Sequence, residues 1–260
     1  MQEKVIMDLG LKGKRVIVTG GSRGIGKAII ETLLAEGADV ATCARGADTL
    51  NATLETWRSQ GAKVYGEAID VTHTSDYAQW FDNAVDFLGG LDIFISNVST
   101  RIQSTGDQRW LDNFDVDFMQ HVRASEMAIS HLQKGSEPAF VFVSTIAAQM
   151  ANIIPMEREY GAMKAALNAY ASQLAHRLAA DGVRSNIVSP GPIDFKGGFW
   201  DQVKQANPEL YKRASEISAL QRHGTAQEVA NAVVFLASPA ASYITGANLR
   251  IDGGALKQIN

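Results

Sequence analysis

The chain has 260 residues, 46% of them apolar, with a formal net charge of -4; that supports a sizeable core, and the lack of a long basic run argues against nucleic acid as a partner. A single cysteine, Cys43, excludes an internal disulfide and fits a reducing compartment, while the five histidines are scattered without metal-ligand spacing. The opening MQEKVIMDLGLKGKR lacks the apolar run of a signal peptide, and no stretch approaches the roughly 20 apolar residues of a membrane helix, so a soluble cytoplasmic protein is expected.

Apolar runs rich in β-branched residues alternate with amphipathic stretches along the chain. RVIVT (15–19) reads as a buried strand and GKAIIETLLAEG (26–37) as a helix ending at Gly37. DVATCA (39–44) is a second strand, TLNATLETWRSQG (49–61) a helix and KVYGEAID (63–70) a third strand. SDYAQWFDNAVDFLG (75–89) reads as a helix capped by Ser75. LDIFISN (91–97) is the fourth strand, and a long helical pattern covers 112–134. AFVFVS (139–144) is the fifth strand, followed by a helix over about 159–181 and a sixth strand, VRSNIVS (183–189). AQEVANAVVFLAS (226–238) is a late helix and ANLRID (247–252) a seventh strand.

This alternation predicts an α/β fold, a parallel sheet with helices on both faces. With no linker, repeat or low-complexity stretch, one domain is expected over 1–260. The segment 191–224 breaks the rhythm and carries Phe195, Phe199, Trp200 and Tyr211. It reads either as a lid over a substrate pocket or as a surface excursion with its own small apolar cluster.

Gly20, Gly24 and Gly26 lie between the first strand and the first helix. Such a turn lets backbone approach a pyrophosphate at a helix N-terminus. An acidic residue at the end of the second strand would favour NAD. Arg45 stands there instead, and Arg23 in the first turn points to the same region. Two guanidiniums suit a 2′-phosphate, so NADP(H) is favoured over NAD(H). Asp70, ending the third strand, is a candidate acceptor for the adenine amino group.

In REYGAMKAAL (158–167), Tyr160 and Lys164 are four apart and share one helix face. A neighbouring ammonium lowers the pKa of a phenol, which makes the pair a candidate general acid or base; surface chance is the other reading.

Together, TGGSRGIG (19–26), DV (70–71), YGAMK (160–164), SPG (189–191) and ITGANLRIDGG (244–254) resemble the classical short-chain dehydrogenase/reductase family, over about residues 11–254. The resemblance implies a Rossmann-type, doubly wound seven-stranded sheet and hydride transfer between a nicotinamide cofactor and a carbonyl or alcohol carbon. It makes Tyr160 the proton donor or acceptor, with Lys164 lowering its pKa and holding the nicotinamide ribose. It assigns cofactor contacts to Gly20, Ser22, Arg23, Gly24, Ile25 and Gly26, to Arg45, Asp70, Val71 and Asn97, and to Tyr160, Lys164, Pro190, Gly191 and Ile193. It also implies a homodimer or homotetramer, with Ala162, Ala165, Ala166 and Ala169 either permitting close helix contact between copies or packing within the monomer.

The chain departs from the family pattern at several points. SNVS (96–99) replaces the usual NNAG, leaving Asn97 with Val98 and Ser99 behind it. His121 takes the place of an active-site Asn; it keeps the main-chain carbonyl and could titrate near neutral pH, or simply pack in a helix interface. Thr145 takes the place of the active-site Ser, with Ser144 in reserve. Phe195 stands where a Thr usually meets the carboxamide, so a backbone group at Ile193 would serve instead. Met150, Ile153, Ile154 and Met156, with Phe195, Phe199 and Trp200, suggest an apolar substrate pocket; Arg101, just after the fourth strand, reads first as a solvated surface residue and otherwise as a group that meets an anion at the pocket's mouth. The expected activity is reduction of a ketone or oxidation of a secondary alcohol, with a 3-oxoacyl-carrier-protein-reductase-like likeness at family level. The alternatives are a catalytically weak dinucleotide-binding regulatory or scaffold protein, and a reductase of a C=N substrate.

Overall fold

The computed structural model describes residues 8–99, 103–151 and 157–257. Seven parallel strands form one sheet in the order β3-β2-β1-β4-β5-β6-β9: β1 (Arg15–Thr19), β2 (Asp39–Ala44), β3 (Val64–Ala68), β4 (Ile93–Ser96), β5 (Ala139–Val143), β6 (Arg184–Pro190) and β9 (Asn248–Ile251). Buried parallel strands have apolar neighbours on both faces, and β1, β4 and β5 are almost wholly out of solvent. Two further two-residue strands, β7 (Ile193–Asp194) and β8 (Gly224–Thr225), pair with each other outside the main sheet.

The helices cover both faces. On one side α1 (Gly24–Ala35), α2 (Ala47–Ser59) and α9 (Ala226–Ala237) pack around Ile29, Leu33, Trp57 and Val233. On the other, α3 (Thr74–Leu88), α5 (Gln120–Leu132) and α6 (Arg158–Leu178) enclose Trp80, Phe94, Phe140 and Leu167. Arg184 fixes the C-terminal end of α9 from within the core. Its guanidinium donates to the carbonyls of Leu236, Ala237 and Ser238, which the helix itself leaves unpaired. No described helix is long and apolar enough to cross a membrane.

Three expectations need correction. Ser75 does not cap α3: the helix begins at Thr74 after His73, and Ser75 Oγ bonds Asp76 instead. The helical pattern read at 112–134 is α4 (Gly106–Phe114), a π-helical turn (Asp115–Met119) and α5. The irregular stretch 191–224 holds α7 (Phe199–Ala206) and α8 (Pro208–Ile217) between β7 and β8, and Asn207 caps α8 through Leu210 N at 3.0 Å.

Candidate active site

Strand order reverses direction at β1, whose two sheet neighbours are β2 and β4. Loops leaving the carboxyl ends of these strands part to opposite faces there and open a crevice. Its volume is about 490 Å³. Gly20, Ser22, Arg23, Ile25 and Gly26 from the first turn line it, with Arg45, Asp70, Val71, Asn97 and Ser99 from the ends of β2, β3 and β4.

The glycines are there because backbone passes too close for a side chain. A Cβ on Gly26 would sit 2.1 Å from Gly20 O, and Gly24 has φ +56 with the Phe195 ring against it. Asn97 ties the end of β4 to this turn: its Nδ2 donates to Thr19 O at 3.0 Å and to Gly20 O at 3.3 Å. Thr19 Oγ1 accepts from Asn97 N, and Val98 lies against Gly20. The unusual SNVS segment therefore keeps a defined course. The N-terminus of α1, which has no side-chain cap, and a cradle with no room for side chains fit a dinucleotide phosphate.

Arg45 is exposed at the rim, near enough to Asp70 to act on its charge. Burial alone would raise the Asp70 carboxyl, but bonds from Thr72 N and Oγ1, with Arg45 and His73 nearby, hold it below its ordinary value. Arg23 is also at the rim, and its Nη1 donates to Gly197 O at 3.1 Å. Cys43, beneath the crevice, is wholly buried, and burial pushes its thiol up to about 12.

Beyond Ser99 stands Tyr160, partly buried near the start of α6, close enough to the hydroxyls of Thr145 and Ser99 for both to act on its charge. Thr145 Oγ1 also accepts from Ala147 N at 3.2 Å. Ser144 is buried, and its Oγ has no partner among the described residues. Thr145, not Ser144, is thus the hydroxyl brought to Tyr160.

Lys164 and Tyr160 share a face of α6, with the ammonium 5.9 Å from the ring centroid. The ammonium is turned inward, however. Nζ lies 3.1 Å from His121 Nε2, 3.4 Å from Val143 O and 3.6 Å from Asp117 Oδ1. An ammonium has no acceptor, so it donates to Nε2, and His121 Nδ1–H then donates to Ser96 Oγ at 2.7 Å. Asp117 Oδ1 accepts from Ser99 Oγ at 2.7 Å.

The polar cluster changes two expectations. Burial raises Tyr160, the charges of Asp117 and Glu157 raise it further, and only the Ser99 and Thr145 hydroxyls lower it. Lys164 is not among the groups that lower it. His121 is pushed well below its ordinary value by burial and by Lys164, so it does not titrate near neutral pH. Its main-chain carbonyl already accepts from Ser125 Oγ at 2.7 Å.

Tyr160 and Lys164 are not among the crevice-lining groups, and nor are Pro190, Gly191 and Ile193. Gly191 packs on Asp252, and Ile193 is buried in the core. Phe199 and Trp200 pack on each other, and Trp200 reaches His223, which stacks on Tyr211. Arg101, Ile153, Ile154 and Met156 lie outside the described residues. Sequence reasoning passed over Asp117, and met Ser96 and Ser99 only as parts of the altered SNVS segment. The signal for Asp117 was its place on the apolar stripe of the helical pattern, four residues before His121.

A nucleotide crevice at the reversal point of a doubly wound parallel sheet, beside a Tyr–Lys helix, defines a dinucleotide-dependent oxidoreductase. A family model described as enoyl-(acyl carrier protein) reductase matches residues 20–255. Isoepoxydon dehydrogenase of Penicillium expansum is 34% identical, over 96% of this chain and 97% of that protein. A short-chain dehydrogenase from Burkholderia cenocepacia J2315, solved in complex with NADP, superposes with a TM-score of 0.83 at 30% identity, covering 94% of this chain and 98% of that one. A 7α-hydroxysteroid dehydrogenase complexed with NADH and 7-oxo glycochenodeoxycholic acid gives a TM-score of 0.87 at 26% identity, covering 97% and 98%. The chain belongs to the short-chain dehydrogenase/reductase family and is an oxidoreductase.

Proposed function

We propose that the protein transfers a hydride between NADP(H) and a ketone or secondary alcohol, with Tyr160 exchanging the proton at the substrate oxygen. The observation that carries this reading is the nearness of Tyr160 to the hydroxyls of Thr145 and Ser99, the last of which lines the crevice. The nicotinamide, when bound, supplies or accepts the hydride. Tyr160 gives its proton to the carbonyl oxygen in reduction, and Thr145 holds that oxygen by a second hydrogen bond. The glycine turn holds the pyrophosphate, Asp70 the adenine and Arg45 the 2′-phosphate.

The excursion from β7 to β8 is the proposed lid: Phe195 reaches the first turn, and Arg23 grips Gly197. Exposed Trp110, Leu111 and Phe114 on α4, with Ala162, Ala165 and Ala169 exposed on α6, support a homodimer or homotetramer. Light scattering of the protein and of a Trp110→Glu variant tests that assembly.

The test of activity is NADPH oxidation over a panel of ketones, imines and activated alkenes, with Tyr160→Phe as control. Ketone-dependent oxidation that Tyr160→Phe abolishes supports the reading. Turnover of imines alone would move the reaction to C=N, and cofactor binding without turnover would make the chain a binding protein.

A further inference from the structure

Lys164 is wholly out of solvent and does not line the crevice. An ammonium carries three N–H donors, and acceptors surround this one on every side it has to offer. His121 Nε2 is nearest at 3.1 Å, Val143 O lies at 3.4 Å and Asp117 Oδ1 at 3.6 Å. They come from α5, the end of β5 and the π-helical turn, so the ammonium ties three segments to α6. His121 is itself held in place. Its ring is buried, its Nδ1 lies 2.7 Å from Ser96 Oγ, and the Phe142 ring stands edge-on to it at 6.5 Å. The family resemblance implies that this lysine holds the nicotinamide ribose, and its contacts give it a different task.

We propose that His121 keeps Lys164 from the dinucleotide, so that the ammonium is a buried strut beneath the Tyr160 ring and the ribose is held by crevice-lining groups alone. This rests on the reading of the crevice as a dinucleotide site. A ribose hydroxyl would have to displace one of the acceptors already facing the ammonium. Turning Lys164 outward would leave the Asp117 carboxylate buried without its partner, and breaking a buried pair in that way is strongly unfavourable. It would also strip His121 Nε2 of its donor, leaving a buried acceptor unsatisfied. The hold is particular to an imidazole. An Asn, the residue of the family pattern at this position, carries its amide oxygen closer to the backbone than His carries Nε2.

The arrangement requires a neutral His121 with its proton on Nδ1, because Nε2 has to accept from the ammonium. Burial and the Lys164 charge both push its protonation well below the ordinary range, against a smaller opposing effect of the Val98 backbone, so Nε2 stays bare at neutral pH. His121 touches neither substrate nor cofactor. It is a positioning residue that acts through Lys164.

The test begins with nitrogen NMR of the imidazole rings at neutral pH, the His121 signals being assigned by their loss in His121→Asn. The expected result is a proton on Nδ1 and a bare Nε2, in the protein alone and with saturating NADPH. A proton on Nε2, or a ring that changes tautomer or becomes charged when NADPH binds, would show the ammonium elsewhere and overturn the proposal. Fluorescence titration then compares NADPH affinity in the wild type, Lys164→Met, His121→Asn and the double variant. Lys164→Met is expected to change the affinity less than about twofold on its own, and about fivefold or more in the His121→Asn background, where the ammonium is free to turn outward. A larger loss from Lys164→Met alone would return Lys164 to the ribose and overturn the proposal. The same small effect in both backgrounds would take the hold on Lys164 away from His121 and overturn its part. If Lys164→Met fails to fold, the ring spectrum with and without NADPH carries the test. If neither NADPH nor NADH binds the wild type, the dinucleotide reading falls instead, and the tautomer of His121 in the protein alone still tests its hold on Lys164.

Discussion

The Lys164 ammonium lies 3.6 Å from the Asp117 carboxylate, and neither side chain touches solvent. Removing one member of such a pair leaves a lone charge in the core, whereas replacing both with apolar side chains removes the desolvation cost along with the attraction. Lys164→Met alone should therefore cost on the order of 3 kcal/mol, and Lys164→Met with Asp117→Leu clearly less. Without Lys164 the Asp117 carboxyl rises further, because burial already raises it. A raised folded value means stability present below the unfolded value and lost as pH rises, so the single variant is expected to be less handicapped at pH 5 than at pH 8. Denaturant midpoints at the two pH values check both statements.

Arg45 stands at the end of β2, where an acidic side chain would meet a ribose hydroxyl. Arg45→Ala is expected to weaken NADPH binding about tenfold or more and leave NADH binding nearly unchanged, since only NADPH carries the extra phosphate. Fluorescence titration with each cofactor reads the two affinities. An equal loss for both would remove the 2′-phosphate assignment.

Gly26 has no room for a methyl group. Its Cβ would lie 2.1 Å from Gly20 O and 2.6 Å from Asn97 Nδ2, on the two segments that hold the turn closed. Gly26→Ala is expected to destabilise the fold by about 2 kcal/mol and to weaken dinucleotide binding more than that loss alone explains. Thermal unfolding with and without NADPH separates the two effects.

Asp92 accepts from Arg15 N, Nε and Nη2 and from Ser136 N, all within 2.9 Å. Burial works to raise its carboxyl, but these bonds outweigh it and hold the value below the ordinary range. A depressed folded value gives stability that is full above about pH 4 and lost as pH falls through the folded value. Asp92→Asn should cost about 2 kcal/mol at pH 7, with the gap to wild type closing in acid. Urea unfolding from pH 7 down to pH 3 shows whether the curves converge.

The inner strands were legible as short runs buried on both faces, the edge strands β3 and β9 are only partly buried, and the observed ends of all seven fall within about two residues of those read from the pattern. The glycine turn, Arg45, Asp70 and Asn97 were legible for a related reason: their position at strand ends follows from chain order alone. The π-helical turn was not, since periodicity counts residues and does not see which carbonyl each amide chooses. Nor was the direction of the Lys164 ammonium. Spacing placed it beside Tyr160, but the carboxylate that turns it inward arrives from another helical segment. Helix α8 could have been found from Asn207 and Pro208, a cap followed by proline at the first helical position.

Cys43 gives the molecule its own gauge of opening. With its thiol buried in the interior of β2 and pushed up to about 12 by that burial, the folded protein carries very little thiolate near neutral pH, and no other cysteine competes for reagent. Alkylation must then wait for the sheet to part, so the labelling rate, followed with and without dinucleotide, reports how often the native state comes undone.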